Sequence, residues 1–440
     1  MKKYEAYKNS GIEWIGQIPK EWEVIKIKNL CNVTDGTHFS PRTESIGKPY
    51  VTVSNVNNDF VDVGNALLIS EEDFDTLVRQ GCQPKVGDVL LSKDGTVGRS
   101  AIVGNNNGFV CLSSLGILSP KAGLFSGYLK RSLDSIMLQD QMNRAMAGSA
   151  LKRITISKIN EFHMLLPPLS EQQAIASYLD HKVGQIDASI SAINTQIDDL
   201  KAYRQSIISE TVTKGLDPNV PMKDSGIEWI GEIPEEWDIT KLGWAYPNMG
   251  SGTTPDSNNL QYYVEDGYNW LQTGDLTDGA ITSTSKHLSQ IAVDEKRMRF
   301  YPIGSIVIAM YGATIGKVGY LEIETSTNQA CCVLPPQESM DNRFMFYMMQ
   351  SSKTTLISKS VGGGQPNISQ AIIQEHRIPV PSVDEQHAIA SYLDIKTSKI
   401  DATIASLESQ RDDLNALKQS VISEAVTGKI DVRDWTDNNV

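Results

Sequence analysis

Two stretches of nearly identical sequence, SGIEWIGQIPKEWEVIKI (Ser10–Ile27) and SGIEWIGEIPEEWDITKL (Ser225–Leu242), decide the architecture of this chain. They agree at 12 of 18 positions, and the second begins 215 residues after the first. A second pair, EQQAIASYLD (Glu171–Asp180) and EQHAIASYLD (Glu385–Asp394), agrees at 9 of 10 positions with a separation of 214 residues. Two distant pairs with nearly the same separation predict that the 440-residue chain is a unit of about 215 residues used twice.

Both repeats have the same internal order. A Trp-containing block rich in Gly and Pro indicates turns and short strands, and a variable stretch of short β-branched and aromatic runs follows it. A long segment with helical periodicity then closes the repeat. We therefore predict an α/β (α+β) fold, in which two mixed, β-rich domains are joined by two long antiparallel coiled-coil helices in a pseudo-two-fold tandem repeat. The predicted boundaries are 1–165 for the first domain, 166–215 for the central helix, 216–379 for the second domain and 380–440 for the C-terminal helix and tail.

The helical segments carry a narrow apolar stripe with polar flanks, which is typical of the seam between two paired helices. A surface helix lying on its own domain is the alternative, but two matching seams favour helix-on-helix pairing. Ser170 and Asp384 have N-cap chemistry and are predicted to start the two helices. The predicted seam residues are Ile186, Ile190, Ile193, Ile197, Leu200 and Ile207 in the first segment, and Ile400, Ile404, Leu407, Leu414 and Val421 in the second.

Composition excludes several classes of protein. The 40 basic and 53 acidic residues give a net charge of −13, which argues against a basic coat that wraps DNA or binds an anionic membrane. The charge is uneven: the first predicted domain carries +2, the second carries −8, and the two helical segments with the tail carry −7. Five scattered cysteines cannot form a disulfide framework, and Cys331-Cys332 lies in an apolar run that reads as strand core. With no signal peptide or membrane span evident, we expect a cytoplasmic protein.

Motifs of common enzymes and metal sites do not occur in the sequence. The stretch Gly312–Lys317 is one residue short of a phosphate-binding loop and is followed by Val318 where a hydroxyl is required. The six histidines include no HExxH pattern. We therefore predict no catalytic residue, no metal site and no cofactor in this chain. An enzyme with an unfamiliar site is an open alternative that turnover by the purified chain would reveal.

In their order, the motifs of this chain resemble those of the specificity subunit of type I restriction-modification systems, and the resemblance covers essentially the whole chain. They are the two Trp-containing openings, the stretches Gly87–Ser100 and Gly304–Gly319, the STNQA segment Ser326–Ala330, the GGGQPNIS segment Gly362–Ser369 and the two EQ-x-A-I-A-S-Y-L-D helix starts. The repeats depart from each other at one place: the second has Gly-Gln-Pro-Asn-Ile ending at Ile368, and the first has Ala-Leu-Lys-Arg-Ile ending at Ile154.

The resemblance implies that the chain has no catalytic activity and that two target-recognition domains each read one half of an asymmetric bipartite site in double-stranded DNA. It implies that the two helices set the spacing between the half-sites and dock methyltransferase subunits, two of them by our prediction. It also implies that restriction and translocase subunits join for cleavage. A protein-interaction scaffold that never touches DNA is the alternative from another class, and a specificity subunit of a related methylation-only or type II-like system is a closer one.

Candidate DNA contacts lie in both repeats. A Gly-rich turn after a β run carries a hydroxyl and a cation in each repeat, and such groups can bind phosphate where glycine allows close approach. An ordinary hairpin turn with a solvated cation explains the same pattern. Basic clusters and amides near a glycine run complete the prediction, although amides there also cap turns. The predicted DNA-binding residues are Lys93, Thr96, Arg99, Lys152, Arg153, Lys158, Lys286, Arg297, Arg299, Thr314, Lys317, Gln365 and Asn367.

The tryptophans of the two opening blocks are repeated in place. Trp14 and Trp22 correspond to Trp229 and Trp237, and we expect all four to pack in the core where each domain meets the end of a helix.

Overall fold

A computed structural model describes residues 2–57, 59–104, 108–147, 152–360 and 366–435. The chain divides into two compact units. Unit 1 contains Met1–Asn194 and Glu408–Val440, and unit 2 contains Thr195–Leu407. Each unit is therefore one β-rich domain together with part of both long helices.

Over its described residues, the first repeat folds into twelve strands and six helices, with a 3-10 turn at Val53–Asn55. Its strands are β1 (Tyr7–Asn9), β2 (Gln17–Pro19), β3 (Glu23–Lys26), β4 (Cys31–Asp35), β5 (Thr43–Glu44), β6 (Lys48–Val51), β7 (Leu67–Ile69), β8 (Val89–Ser92), β9 (Ser100–Ile102), β10 (Val110–Cys111), β11 (Leu115–Pro120) and β12 (His163–Leu166). Its helices are α1 (Ile27–Leu30), α2 (Glu71–Arg79), α3 (Ser126–Asp134), α4 (Ile136–Met146), α5 (Ile156–Asn160) and α6 (Leu169–Lys214).

The second repeat follows the same plan, with 3-10 turns at Leu260–Tyr262 and Thr273–Asp275. Its strands are β13 (Met222–Asp224), β14 (Glu232–Pro234), β15 (Asp238–Lys241), β16 (Gly250–Ser251), β17 (Tyr263–Val264), β18 (Tyr268–Leu271), β19 (Ala280–Ile281), β20 (Lys286–Leu288), β21 (Phe300–Tyr301), β22 (Ile306–Ala309), β23 (Val318–Leu321), β24 (Thr325–Thr327), β25 (Cys331–Leu334) and β26 (Arg377–Val380). Its helices are α7 (Leu242–Ala245), α8 (Gln290–Lys296), α9 (Asn342–Ser351), α10 (Lys353–Ser358), α11 (Gln370–Glu375) and α12 (Val383–Val426).

The strand orders of the two larger sheets correspond between the units, and each of these sheets has one additional strand in unit 2. Unit 1 has one sheet ordered β4-β11-β8-β9 and unit 2 has β16-β25-β22-β23, extended by β19. A second sheet is ordered β10-β6-β7-β5 in unit 1 and β24-β18-β20-β17 in unit 2, which carries β21 beside β24. In both second sheets the first pair of strands is parallel and the next is antiparallel. The mixed, β-rich tandem repeat that the sequence predicts is therefore confirmed.

The two long helices pair in opposite directions within each unit. In unit 1, Asp187 of α6 binds Lys418 of α12 at 2.6 Å, and the earlier residue Val183 shares a core with the later residue Val421. In unit 2, Arg204 binds Asp401 at 2.9 Å. The later residue Val212 of α6 there shares a core with the earlier residue Leu393 of α12.

All eleven predicted seam residues are buried or half-buried, in helices of 46 and 44 residues. At 1.5 Å per residue, each helix is about 66–69 Å long.

The main core of each unit lies between one sheet, its flanking helices and the parts of α6 and α12 in that unit. Trp22 and Trp237 are almost fully buried in these cores, beside the glycines Gly428 and Gly215 just after the ends of α12 and α6. The prediction that both tryptophans pack where a domain meets a helix end is therefore confirmed. All four residues of β25 are buried, Cys331-Cys332 included, so that pair is strand core as predicted.

Two predictions about local structure are wrong. Trp14 is 43% exposed, because it lies in the turn between β1 and β2, whereas its repeat partner Trp229 is half-buried and packs against the main core of unit 2, as predicted. The helices start at Leu169 and Val383, so Ser170 and Asp384 lie inside the first turn and are not N-caps. For α12 the capping oxygen belongs to Ser382, whose Oγ accepts a hydrogen bond from the Glu385 backbone at 3.3 Å.

Candidate nucleic-acid interface

The Gly-rich turn of unit 1 joins β8 to β9. Gly95 and Gly98 have φ values of 72° and 97°, a left-handed conformation in which glycine is favoured. The hydroxyl of Ser92 donates to the Thr96 carbonyl at 2.6 Å and accepts from the Arg99 backbone at 2.8 Å, which holds the turn from inside. The side chains of Thr96 and Arg99 are exposed. Two predicted contact residues are thus displayed on a fixed backbone.

The corresponding turn of unit 2 joins β22 to β23, and Gly312 and Gly316 have φ values of 86° and 75°. The amide of Gly316 donates to the Ala309 carbonyl at 2.8 Å, as Gly98 does to Ser92 at 2.9 Å. Here the predicted residues are less exposed: Thr314 and Lys317 are half-buried. Within the described part of the chain, the buried hydroxyl oxygen of Thr314 has no hydrogen-bond partner.

Lys93 is the predicted site residue that lies deepest. Its side chain is 2% exposed, and Nζ forms ion pairs with Asp35 at 3.2 Å and Asp94 at 3.9 Å. Unit 2 has the buried Met310 at this position, after the corresponding strand. Contact between Lys93 and DNA would require both the ion pairs and the core packing to open.

The basic cluster near the end of the first domain is brought together beside the turn. Arg153 is half exposed and its Nε lies 3.1 Å from Asp94 Oδ1. Lys152 is exposed, and its carbonyl accepts a hydrogen bond from the Gly95 backbone at 3.2 Å. Lys158 is exposed as well, and its Nζ donates to the carbonyl of Ala145. Arg153 and Lys152 therefore share one surface with the Gly-rich turn.

The second basic cluster does not gather around the turn of unit 2. Lys286 lies on β20 with its Nζ 5.8 Å above the ring of Tyr263. Arg297 ends α8 in the left-handed conformation with a φ of 49°. Arg299 stacks 4.8 Å over Tyr301 and donates to the Asn248 carbonyl at 2.8 Å. All three cations are exposed.

Of the two predicted amides, Asn367 is exposed and its backbone pairs with Tyr311, directly before the Gly-rich turn. Gln365 lies outside the described residues.

Sequence reasoning missed a cleft of about 460 Å³ in unit 1, next to the same turn. Its polar lining includes Arg99, Lys130, Arg131, Asp134 and Lys418. Lys130 and Arg131 stand in the ordinary helical run YLKRSLD of α3, and only the packing of α3 against α6 and α12 reveals their position.

Ion pairs neutralise most of this cleft. Lys130 binds Asp59 at 2.7 Å and Asp134 at 2.8 Å, and Arg131 binds Asp180 of α6 at 2.7 Å. Burial raises the pKa of Asp134 in spite of Lys130. For Asp59 burial acts in the same direction, but the hydrogen bond and charge of Lys130 outweigh it and lower the pKa. The ion pair between Arg131 and Asp180 thus holds α3 against α6. Arg99 is the exposed cation in the lining of the cleft.

Two classes of site have no support in the described ranges. No group of three or more His, Cys, Asp or Glu side chains there is arranged to hold a metal ion. Among the helices of those ranges, none is both long and apolar enough to cross a membrane.

The chain is similar to several known proteins. The type I restriction enzyme MjaVIII specificity subunit of Methanocaldococcus jannaschii is 25% identical over 95% of both chains. The EcoKI specificity subunit of Escherichia coli K12 is 19% identical over 96% of this chain and 92% of its own. A solved structure from work on complex assembly and conformational transition of the type I R-M system has a TM-score of 0.69 and 17% identity. That match covers 94% of this chain and 99% of the other, and it shows the shared fold.

The family model described as the type I restriction modification DNA specificity domain matches this chain twice, at residues 19–199 and 234–413. Each match takes in most of one β-rich domain and the larger part of the helix that follows it, so the repeat found in the sequence is a repeat of this family domain. The chain therefore belongs to the family of type I restriction-modification DNA specificity proteins.

Proposed function

We propose that this chain is the non-catalytic DNA-reading subunit of a type I restriction-modification complex in the cytoplasm. Each β-rich domain reads one half of an asymmetric bipartite site in double-stranded DNA. Phosphate contacts fix the register, and side chains in the grooves read the bases. The four-part division at residues 165, 215 and 379 describes this function: two recognition domains, each followed by a helix.

One observation carries the proposal. The two units have corresponding strand orders, but the exposed side chains at corresponding positions differ between them. A protein that reads two different half-sites needs one scaffold with two surfaces. The predicted DNA contacts that are exposed, with Thr96, Arg99, Lys152 and Arg153 around one turn, are the first candidates in unit 1.

The helices serve two roles in this proposal. Paired over their seam, they fix the distance between the half-sites, and their polar faces dock two methyltransferase subunits, with restriction and translocase subunits joining for cleavage. The acidic charge of the helical segments suits protein partners better than phosphates. The net charge of −8 in the second domain means that methyltransferase subunits supply much of the electrostatic attraction to DNA.

Methylome sequencing of the host, with and without this gene, tests the proposal. We expect one bipartite motif with modified adenines to vanish when the gene is deleted and to return when the gene is restored on a plasmid. An unchanged set of modified motifs, in a host whose methyltransferase gene is intact and expressed, would overturn the proposal.

A further inference from the structure

One exposed residue stands at the same backbone position in both units and differs in chemistry. In unit 1 the backbone of Arg153 pairs with Asp94, and in unit 2 that of Asn367 pairs with Tyr311. The following amides also correspond: Ile154 donates to the Lys93 carbonyl at 2.8 Å, and Ile368 to the Met310 carbonyl at 2.7 Å. The repeats diverge in sequence here, yet they keep the same backbone contact.

A buried anchor holds each of these residues in place. Ile154 and Ile368 are fully buried and belong to the main core of their units. On the other side of the contact, Gly95 and Gly312 begin the Gly-rich turns with positive φ angles. The backbone of an exposed residue between a core residue and a fixed turn is held in one position, and selective recognition requires side chains that project from such fixed positions.

The chemistry of the two exposed side chains matches two different bases. Arg153 is half exposed, and its ion pair with Asp94 uses Nε, the inner nitrogen of the guanidinium. In the major groove, the two terminal nitrogens can donate hydrogen bonds to guanine O6 and N7. Asn367 has the donor and acceptor pair that matches adenine N6 and N7.

We infer that Arg153 and Asn367 are corresponding base-reading residues, one in each half-site: Arg153 reads a guanine in the half-site of unit 1, and Asn367 reads an adenine in that of unit 2. This inference rests on the proposed function and adds to it the residues and the bases. A guanidinium and an amide can both also donate to phosphate oxygens, but a phosphate contact would weaken methylation at all sites alike and would relax no base position.

The test uses the full chain co-expressed with its methyltransferase subunits and reads the modified motif by methylome sequencing. Arg153→Gln is expected to relax one guanine position of one half-site, with discrimination there falling about 10- to 100-fold. Asn367→Ala is expected to relax one adenine position of the other half-site to the same extent. The remaining positions of the motif stay as in the unsubstituted protein.

Controls separate base reading from other roles. Lys152→Ala removes the neighbouring cation and is expected to weaken methylation at all sites alike without relaxing any position. Should Arg153→Gln abolish methylation, Arg153→Lys retains the charge without the bidentate fork and is expected to relax the same guanine.

An unchanged motif in the Arg153 and Asn367 variants, or uniform weakening with every position retained, would overturn the inference. Absence of any bipartite motif in the unsubstituted protein would instead refute the proposed function.

Discussion

His376 makes the stability of unit 2 depend on pH, and the first repeat provides the substitution that removes this dependence. The His376 side chain is fully buried, stacks on Trp229 at 5.3 Å, and has no hydrogen-bond partner for either ring nitrogen in the described part of the chain. Unit 1 has the buried Phe162 at this position: the backbone of Ile27 donates to the Phe162 carbonyl at 2.9 Å, as Leu242 does to His376 at 2.8 Å. The imidazole therefore occupies an apolar site.

Burial, with a smaller contribution from the charge of Lys359, lowers the pKa of His376 to about 4. Since the unfolded chain takes up the proton near pH 6.5, acidification stabilises the unfolded state first. The contribution of His376 to stability is complete above about pH 6.5 and falls as the pH drops towards 4. Between pH 7.5 and pH 5 this loss is about 2 kcal/mol, and it approaches about 3 kcal/mol below pH 4.

We predict that His376→Phe removes about 2 kcal/mol of the difference in unfolding free energy of unit 2 between pH 7.5 and pH 5. The variant should also be more stable at pH 7.5, because it buries no unpaired nitrogen. Urea unfolding of the full chain, followed by tryptophan fluorescence, measures both effects.

Phe162→His is the matched control in unit 1 and should create the same dependence there. Equal pH dependence in the original protein and in His376→Phe would refute the reasoning.

Three further predictions concern the ion pairs, the helices and DNA affinity. Asp35→Ala leaves the charge of Lys93 buried without its closer partner and should destabilise unit 1 by about 3 kcal/mol. By strand pairing, the counterparts in unit 2 are Met310 and Ser251, so the double change Lys93→Met with Asp35→Ser should cost little, and chemical denaturation distinguishes the two cases. Deleting seven residues from each long helix at paired positions shortens both by about 10 Å and should shorten the spacer of the methylated motif by about three base pairs; an unchanged spacer would contradict the spacing role. The chain alone should bind its site weakly, and addition of methyltransferase subunits should raise both the affinity and its dependence on salt, as fluorescence anisotropy would measure.

The repeat made the fold predictable, and contacts between distant segments made parts of the site unpredictable. Two near-identical blocks and two apolar seams are local patterns, so the two repeats and both long helices followed from them, and short β-branched and aromatic runs indicated the β structure. The predicted N-caps Ser170 and Asp384 would begin the helices at the next residues, but the helices begin two residues earlier, at Leu169 and Val383, next to the Pro-rich entries.

No local sequence pattern predicted which charged residues would be buried. Lys93 stands in an ordinary Lys-Asp-Gly turn sequence, and only the pairing of β4 with β11 and of β11 with β8 brings Asp35 to its ammonium group. Lys130 and Arg131 likewise depend on long-range packing. The sequence comparison already aligned Arg153 with Asn367, but only the backbone contacts showed that both residues stand beside a Gly-rich turn.

The central claim is that each β-rich domain reads its own half-site, and exchanging one domain tests it most directly. Replacing residues 225–379 by residues 10–165 gives a chain with two copies of the first domain on the original helices. Methylome sequencing of cells that express this chain with its methyltransferase subunits should show a motif in which both halves carry the first half-site, with the original spacer. A motif that keeps the second half-site would contradict the claim.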